Sequence, residues 1–138
     1  MASKLRVDSI LPVDGAPTNG GGGIIQVVST TLTTPTSTTS TSAFEDISGL
    51  SVAITPKFST SKVLLMVSLG SISLNAQSIG FRLLRGSTQI GGATSTANQS
   101  GFTNVYAAAV YIMSASHNFL DSPSTTSATT YKLQWKVA

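Results

Sequence analysis

Four consecutive glycines, residues 20–23, divide the chain and are followed at once by the apolar run Ile24-Ile25-Gln26-Val27-Val28. Ahead of them lies a polar stretch punctuated by Pro12, Gly15 and Pro17. Its apolar residues Leu5, Val7, Ile10, Leu11 and Val13 are too few to offset the entropy of ordering about twenty residues, at roughly 1 to 2 kcal/mol each. Residues 1–23 are therefore expected to form an extended arm that takes its order from a partner, with the glycines as a flexible joint. They are not a phosphate loop, because no Lys-Ser/Thr follows and no helix opens there to receive an anion. What remains, 24–138, is long enough for one domain with a real core.

That domain is built from residues that favour strands. Ser (22) and Thr (19) together outnumber the 13 charged residues threefold. Thr is β-branched, and Ser competes with a helical backbone for its hydrogen bonds. From Ile24 onward, short apolar runs alternate with clusters of Ser, Thr, Gly, Asn and Pro, the spacing of a sandwich or barrel. Strands are predicted at 24–32, 42–47, 50–55, 62–69, 79–84, 88–90, 102–113 (with a break allowed) and 130–137. The last is the clearest: Tyr131, Leu133, Trp135 and Val137 share one face while Lys132, Gln134 and Lys136 share the other. The tract 33–41 contains only Ser, Thr and Pro35 and reads as a surface connection or an irregular edge. Stretches 91–101 and 122–130 read as long polar loops, and 74–77 as a turn.

The net charge of +3 comes from eight basic residues scattered along the chain, with no stripe of the kind that tracks a phosphate backbone. Nucleic acid is therefore not an expected partner. Cysteine is absent, which excludes disulfides and thiolate metal sites. No run approaches the roughly 20 apolar residues of a membrane span, the longest core being 63–67, and the N-terminus lacks the apolar segment of a signal peptide. A protein assembled in the cytoplasm is expected.

The inventory for catalysis is thin: one histidine, His117, and five carboxylates, Asp8, Asp14, Glu45, Asp46 and Asp121. Ser114 or Ser116 with His117 and Asp121 makes a triad on paper. Three residues so close in sequence rarely reach the mutual geometry, and no G-x-S-x-G elbow accompanies them. As metal ligands His117 and Asp121 lack a third. The plainer expectation for His117 is a strand-end residue bonded to backbone. Glu45 and Asp46 are neighbours in a strand and so face opposite ways; they are expected to be solvated or paired with Lys57 or Lys62. No catalytic, cofactor or metal-binding residue is assigned, and the chain is not expected to be an enzyme. Arg82 and Arg85 either grip an acidic sugar or a neighbouring subunit's carboxylate by bidentate bonds, or stand solvated with their stems over apolar surface. Tyr106, Tyr111 and His117 offer rings for stacking on sugar, though aromatic residues in strands more often belong to the core.

Several segments together resemble a known group. These are Ser3-Lys4-Leu5-Arg6-Val7-Asp8-Ser9-Ile10-Leu11, the joint at 20–28, Phe81-Arg82-Leu83-Leu84-Arg85-Gly86, Asn118-Phe119-Leu120-Asp121-Ser122-Pro123 and the closing 130–137. The chain resembles short virion structural proteins of tailed bacteriophages, particularly marine and cyanobacterial phages, many of them labelled tail fibres. The resemblance covers nearly the whole chain. It implies a surface protein of the virion whose arm docks on other virion proteins and whose β-domain faces outward, commonly as a homotrimer. Leu5, Val7, Ile10 and Leu11 would anchor that arm, with Arg6 adding a salt-sensitive contact.

The resulting expectation is an all-β protein: an antiparallel β-sandwich of jelly-roll type at 24–138, preceded by the arm. Its expected role is a short trimeric tail fibre or host-recognition tip that meets host glycan. Without heptads or shaft repeats any fibre is short, so a capsid decoration or cement protein is the alternative, and a lectin-like glycan-binding module the third. Arg82 and Arg85 are the candidate subunit contacts, and no cofactor is expected.

Overall fold

The computed structural model describes residues 24–94 and 101–137. Among them form seven strands and no helix: β1 (Glu45–Ile54), β2 (Val63–Asn75), β3 (Ser78–Arg85), β4 (Thr88–Ile90), β5 (Thr103–Tyr106), β6 (Val110–Asp121) and β7 (Thr129–Val137). Every pairing is antiparallel, and the pairings nest. First pairs with last, β1 with β7; second with second-last, β2 with β6; third with third-last, β3 with β5. β4, at the midpoint, folds back on β3. Two sheets result: β1-β7-β3 with β4 and β5 sharing the far edge of β3, and the two-stranded ribbon β2-β6.

Period-two patterning decides which faces meet. β7 turns Tyr131, Leu133 and Val137 into the interior as its sequence predicts, with Trp135 half-buried against the same cluster. β3 adds Ile79, Phe81 and Leu83, aligned with β7 so that Phe81 opposes Trp135 and Leu83 opposes Leu133. The ribbon supplies the other wall, with Leu65, Val67, Leu69, Ile72 and Leu74 from β2 and Met113 and Phe119 from β6. One cluster thus draws on both sheets. Burying a side chain such as Phe81 contributes about 1.5 to 3 kcal/mol, and it is the most enclosed large residue of the core.

The chain crosses between the sheets four times, and two of the crossings lie side by side. Residues 75–78 carry it from β2 to β3, and 106–110 from β5 to β6; Ala107 N–H donates to Gln77 O and Ala76 N–H to Ala109 O. Ala107 is buried there, where a larger side chain would hold the two crossings apart.

Three strand expectations are corrected. Residues 24–32 are not a strand: the segment passes β1, touching it through Thr30 Oγ1–H to Gly49 O and Leu32 beside Gly49. The reason lies in β1 itself. Gly49 sits at φ +91° and the register slips between Asp46 and Ser51, so the edge offers no regular ladder to join. That bulge also explains why 42–47 and 50–55 are one strand interrupted rather than two. The span 102–113 breaks, as its expectation allowed, at 107–109, where the sheets are exchanged. Finally, 114–121, for which no strand is predicted, is strand, extending β6 to Asp121. Residues 74–77 supply no helical turn: Leu74 and Asn75 end β2, and the chain bends after them at Ala76, φ +51°.

Candidate functional site

Arg85 and Tyr131 stand opposite each other on β3 and β7, at the rim of the large sheet's inner face. From the ribbon, the last residue of β6, Asp121, reaches them. Arg85 Nη1 donates to Oδ1 and Oδ2 of Asp121, both at 2.9 Å, and to the Ser122 carbonyl at 3.3 Å; the Tyr131 hydroxyl donates to Oδ2 at 2.6 Å. The group clasps the two sheets together at one end of the core. Burial, reinforced by the hydrogen bond to Asp121, pushes the Tyr131 phenol well above its ordinary range. Arg85 is thus committed within its own chain.

Arg82 lies on the opposite, outer face of the same sheet, in a row that runs straight across three strands. Its Nε donates to Gln134 Oε1 at 2.7 Å, and Gln134 Nε2 donates to Asp46 Oδ1 at 2.6 Å. Lys132 completes the row at Asp46 Oδ2, 2.9 Å away. Asp46 therefore pairs with Lys132, not with Lys57 or Lys62, because cross-strand neighbours on one face of a sheet are within reach while loop lysines are not. The hydrogen bonds from Lys132 and Gln134 hold the Asp46 carboxyl below its usual range. The Arg82 guanidinium stacks 4.3 Å over the Phe44 ring, and its partial burial lowers its pKa. Lys136 approaches the same ring at 5.7 Å. Glu45 turns away and accepts from Thr38 Oγ1.

His117 is mid-strand on β6 rather than at a strand end. Its ring lies nearly parallel to Phe102, 4.4 Å between centroids, with Phe119 6.4 Å on the other side. Its Nε2 is buried and has no hydrogen-bond partner. The alternation of β6 sends His117 and Asp121 inward but Ser114 and Ser116 outward, so the paper triad is not assembled. Among the described residues no three His, Asp or Glu side chains gather as metal ligands. The histidine does the packing work of an aromatic residue.

What the sequence reading passed over is the outward side of the ribbon. Leu64 opposes Leu120 and Met66 opposes Asn118 across it, and the three apolar side chains are exposed. At its far end Val110 and Ile112 are exposed too, beside Tyr111, with Tyr106 close by on β5. The signal was present in 63–67, an unbroken apolar run: in a strand, such a run asks for cover on both faces. Of the two tyrosines, neither is a core residue.

No protein family, curated protein or solved structure matches the chain. No helix among the described residues is long and apolar enough to cross a membrane. The arm residues Leu5, Arg6, Val7, Ile10 and Leu11 lie outside the described residues, as does the loop at 95–100.

Proposed function

We propose that this chain is a non-enzymatic structural protein of a tailed-phage virion. In this reading it is a jelly-roll β-sandwich that works as a homotrimer, docks through residues 1–23, and serves as a short tail fibre or host-recognition tip. The nested pairing carries the reading. A jelly roll is a long antiparallel hairpin rolled up, so that first strand meets last, second meets second-last and third meets third-last, which is the order β1-β7, β2-β6, β3-β5. Such a head needs no catalytic centre, and its polar side chains are spent on clasps between strands. At its exposed corner Tyr106 is 70% accessible and Tyr111 56%, flat faces on which a host sugar can stack.

A decoration protein of the capsid is the second reading, favoured by the lack of any shaft repeat. Cryo-electron microscopy of the parent particle separates the two. Head density at the tail, in tens of copies, is expected; heads spread over the shell, with arms across neighbouring capsomers, would establish decoration instead. A particle lacking the chain altogether would sink both.

A further inference from the structure

We infer that the outward face of the β2-β6 ribbon is where a second copy of this chain docks. The inference deepens the trimer part of the reading above by naming its surface, and it stands on three observations.

The first is charge. On the large sheet Asp46, Arg82, Lys132 and Lys136 are solvent-facing, while Arg85 sits at the rim. β2 and β6 together span 25 positions (13 + 12) and hold one such residue, Asp121, which is turned inward and 6% exposed. With six of the nine charged residues among those described on the large sheet, Glu45 included, and Lys57 and Lys62 in the connection ahead of β2, the ribbon strands suit a surface that is also uncharged. The same ribbon on a neighbouring copy meets that condition, because bringing two uncharged faces together incurs no like-charge cost and strands no ion.

The second is the pattern of the face. Leu64 (60% exposed), Met66 (75%) and Leu120 form an apolar block at one end, Val110 and Ile112 another, and Ser68, Ser114 and Ser116 lie between. Large apolar anchors around a belt of small side chains let two such faces approach closely, and exposed apolar groups of this kind mark contact surfaces.

The third is the edges. Among the described residues β2 and β6 pair only with each other, so each presents one unpaired edge along its length. Neither strand carries a proline, lysine or arginine, the residues that ordinarily blunt such an edge. Apart from Lys62 just ahead of β2, an acidic or basic partner has no charge to grip along these strands, whereas a second ribbon offers matching backbone and matching side chains.

The test uses the full chain in sedimentation velocity, alone and as the double variant Leu64→Lys/Met66→Lys, with circular dichroism to check that the exposed substitutions leave the fold intact. The expected result is an oligomer for the unaltered chain and a species near 14.2 kDa for the variant. A variant that keeps the oligomeric mass would overturn the inference. Because the chain lacks cysteine, Met66→Cys gives an independent readout, the rate of thiol labelling. Protection on assembly is expected. Full reactivity within the oligomer would move the interface elsewhere and leave the trimer reading standing; a monomeric unaltered chain would remove both. Protection already in the monomer would assign the cover to the chain's own N-terminal segment, and that too overturns it.

Discussion

Arg85 and Asp121 meet across the two sheets, with a single guanidinium nitrogen 2.9 Å from both carboxylate oxygens. The pair joins strands that are not neighbours in either sheet, so it fixes how the ribbon sits on the large sheet rather than how either sheet is built. Asp121 is 6% exposed and depends on Arg85 and Tyr131 for all its described side-chain bonds. Arg85→Met leaves a buried carboxylate short of its counter-charge and is expected to cost about 3 kcal/mol in urea unfolding. The triple change Arg85→Met/Asp121→Leu/Tyr131→Phe, which removes every polar member, should recover most of that loss. If the triple variant is as unstable as the sum of its parts, the clasp is not acting as one unit.

Tyr131 limits stability at high pH. Its phenol is held neutral by burial first and by the bond to Asp121 second, so its folded pKa lies above the ordinary value of about 10. A raised pKa on this group means that its contribution is complete below pH ~10 and is lost as the pH rises beyond that, when the unfolded chain ionises and the folded chain resists. Tyr131→Phe should therefore flatten the fall in urea midpoint between pH 9 and pH 11 (about one unit either side of that pKa) relative to the unaltered chain. Parallel curves would show that other groups set the alkaline limit.

His117 fills an aromatic position with a polar ring. Phe102 stacks on it at 4.4 Å, and Nε2 is buried with nothing to bond. An unmet buried polar atom costs about 1 to 3 kcal/mol, so His117→Phe, which keeps the flat ring, is expected to raise stability by about 1 kcal/mol once the tight approach of Gly91 is accommodated. A loss of stability would mean that the nitrogen is satisfied in solution, for instance by water.

The strands that proved easiest to see in the sequence are those with long side chains inside and charges outside. β7 is such a strand, and its inward set was legible from alternation alone. β6 has the same alternation over 114–121, but Ala115 and His117 open its inward set and Ser114, Ser116 and Asn118 its outward one, a contrast too weak to stand out against loop composition. Segment 24–32 failed for the opposite reason: its apolar run asks for a strand, and the bulge at Gly49 denies it an edge. Arg82 and Arg85 were picked out together because they are close in the chain, yet strand alternation sends one to the outer face and the other to the inner rim. No local rule reports that Asp121 waits for Arg85 36 residues away.

Asp46 gives an acid limit to the outer row. Hydrogen bonds from Lys132 and then Gln134 lower its pKa from the ordinary 3.8. The lowered value means that its contribution is present above that pH and is lost as the pH falls through the folded value, when the carboxylate is protonated. Asp46 is half exposed, so the effect is small and screened by salt. Asp46→Asn should lower the melting temperature slightly at pH 7 and by less at about pH 3, below the ordinary carboxylate value, where the carboxylate's contribution is being lost. A constant offset at both pH values would show that shape rather than charge matters at this position.

Gly101 closes the neck of the loop that leaves the large sheet after β4. Ala93 and Gly101 exchange both backbone hydrogen bonds, at 3.0 and 2.8 Å, while Phe102 N–H donates to the Phe81 carbonyl at 2.9 Å. Gly101 has φ +110°, a conformation closed to other residues, and a Cβ there would run into that same Phe81 carbonyl. Phe81 is the most enclosed residue of the core, so the backbone has no room to yield. Gly101→Ala is expected to cost about 2 kcal/mol or more by combined strain and overpacking. Gly70 is the control: it lies in β2, nothing stands within 4 Å of a Cβ placed on it, and its φ is not positive. Gly70→Ala should leave stability unchanged or raise it by up to about 1 kcal/mol, because alanine has less chain entropy to lose in a strand. Equal losses at the two positions would mean that the backbone around Gly101 shifts freely.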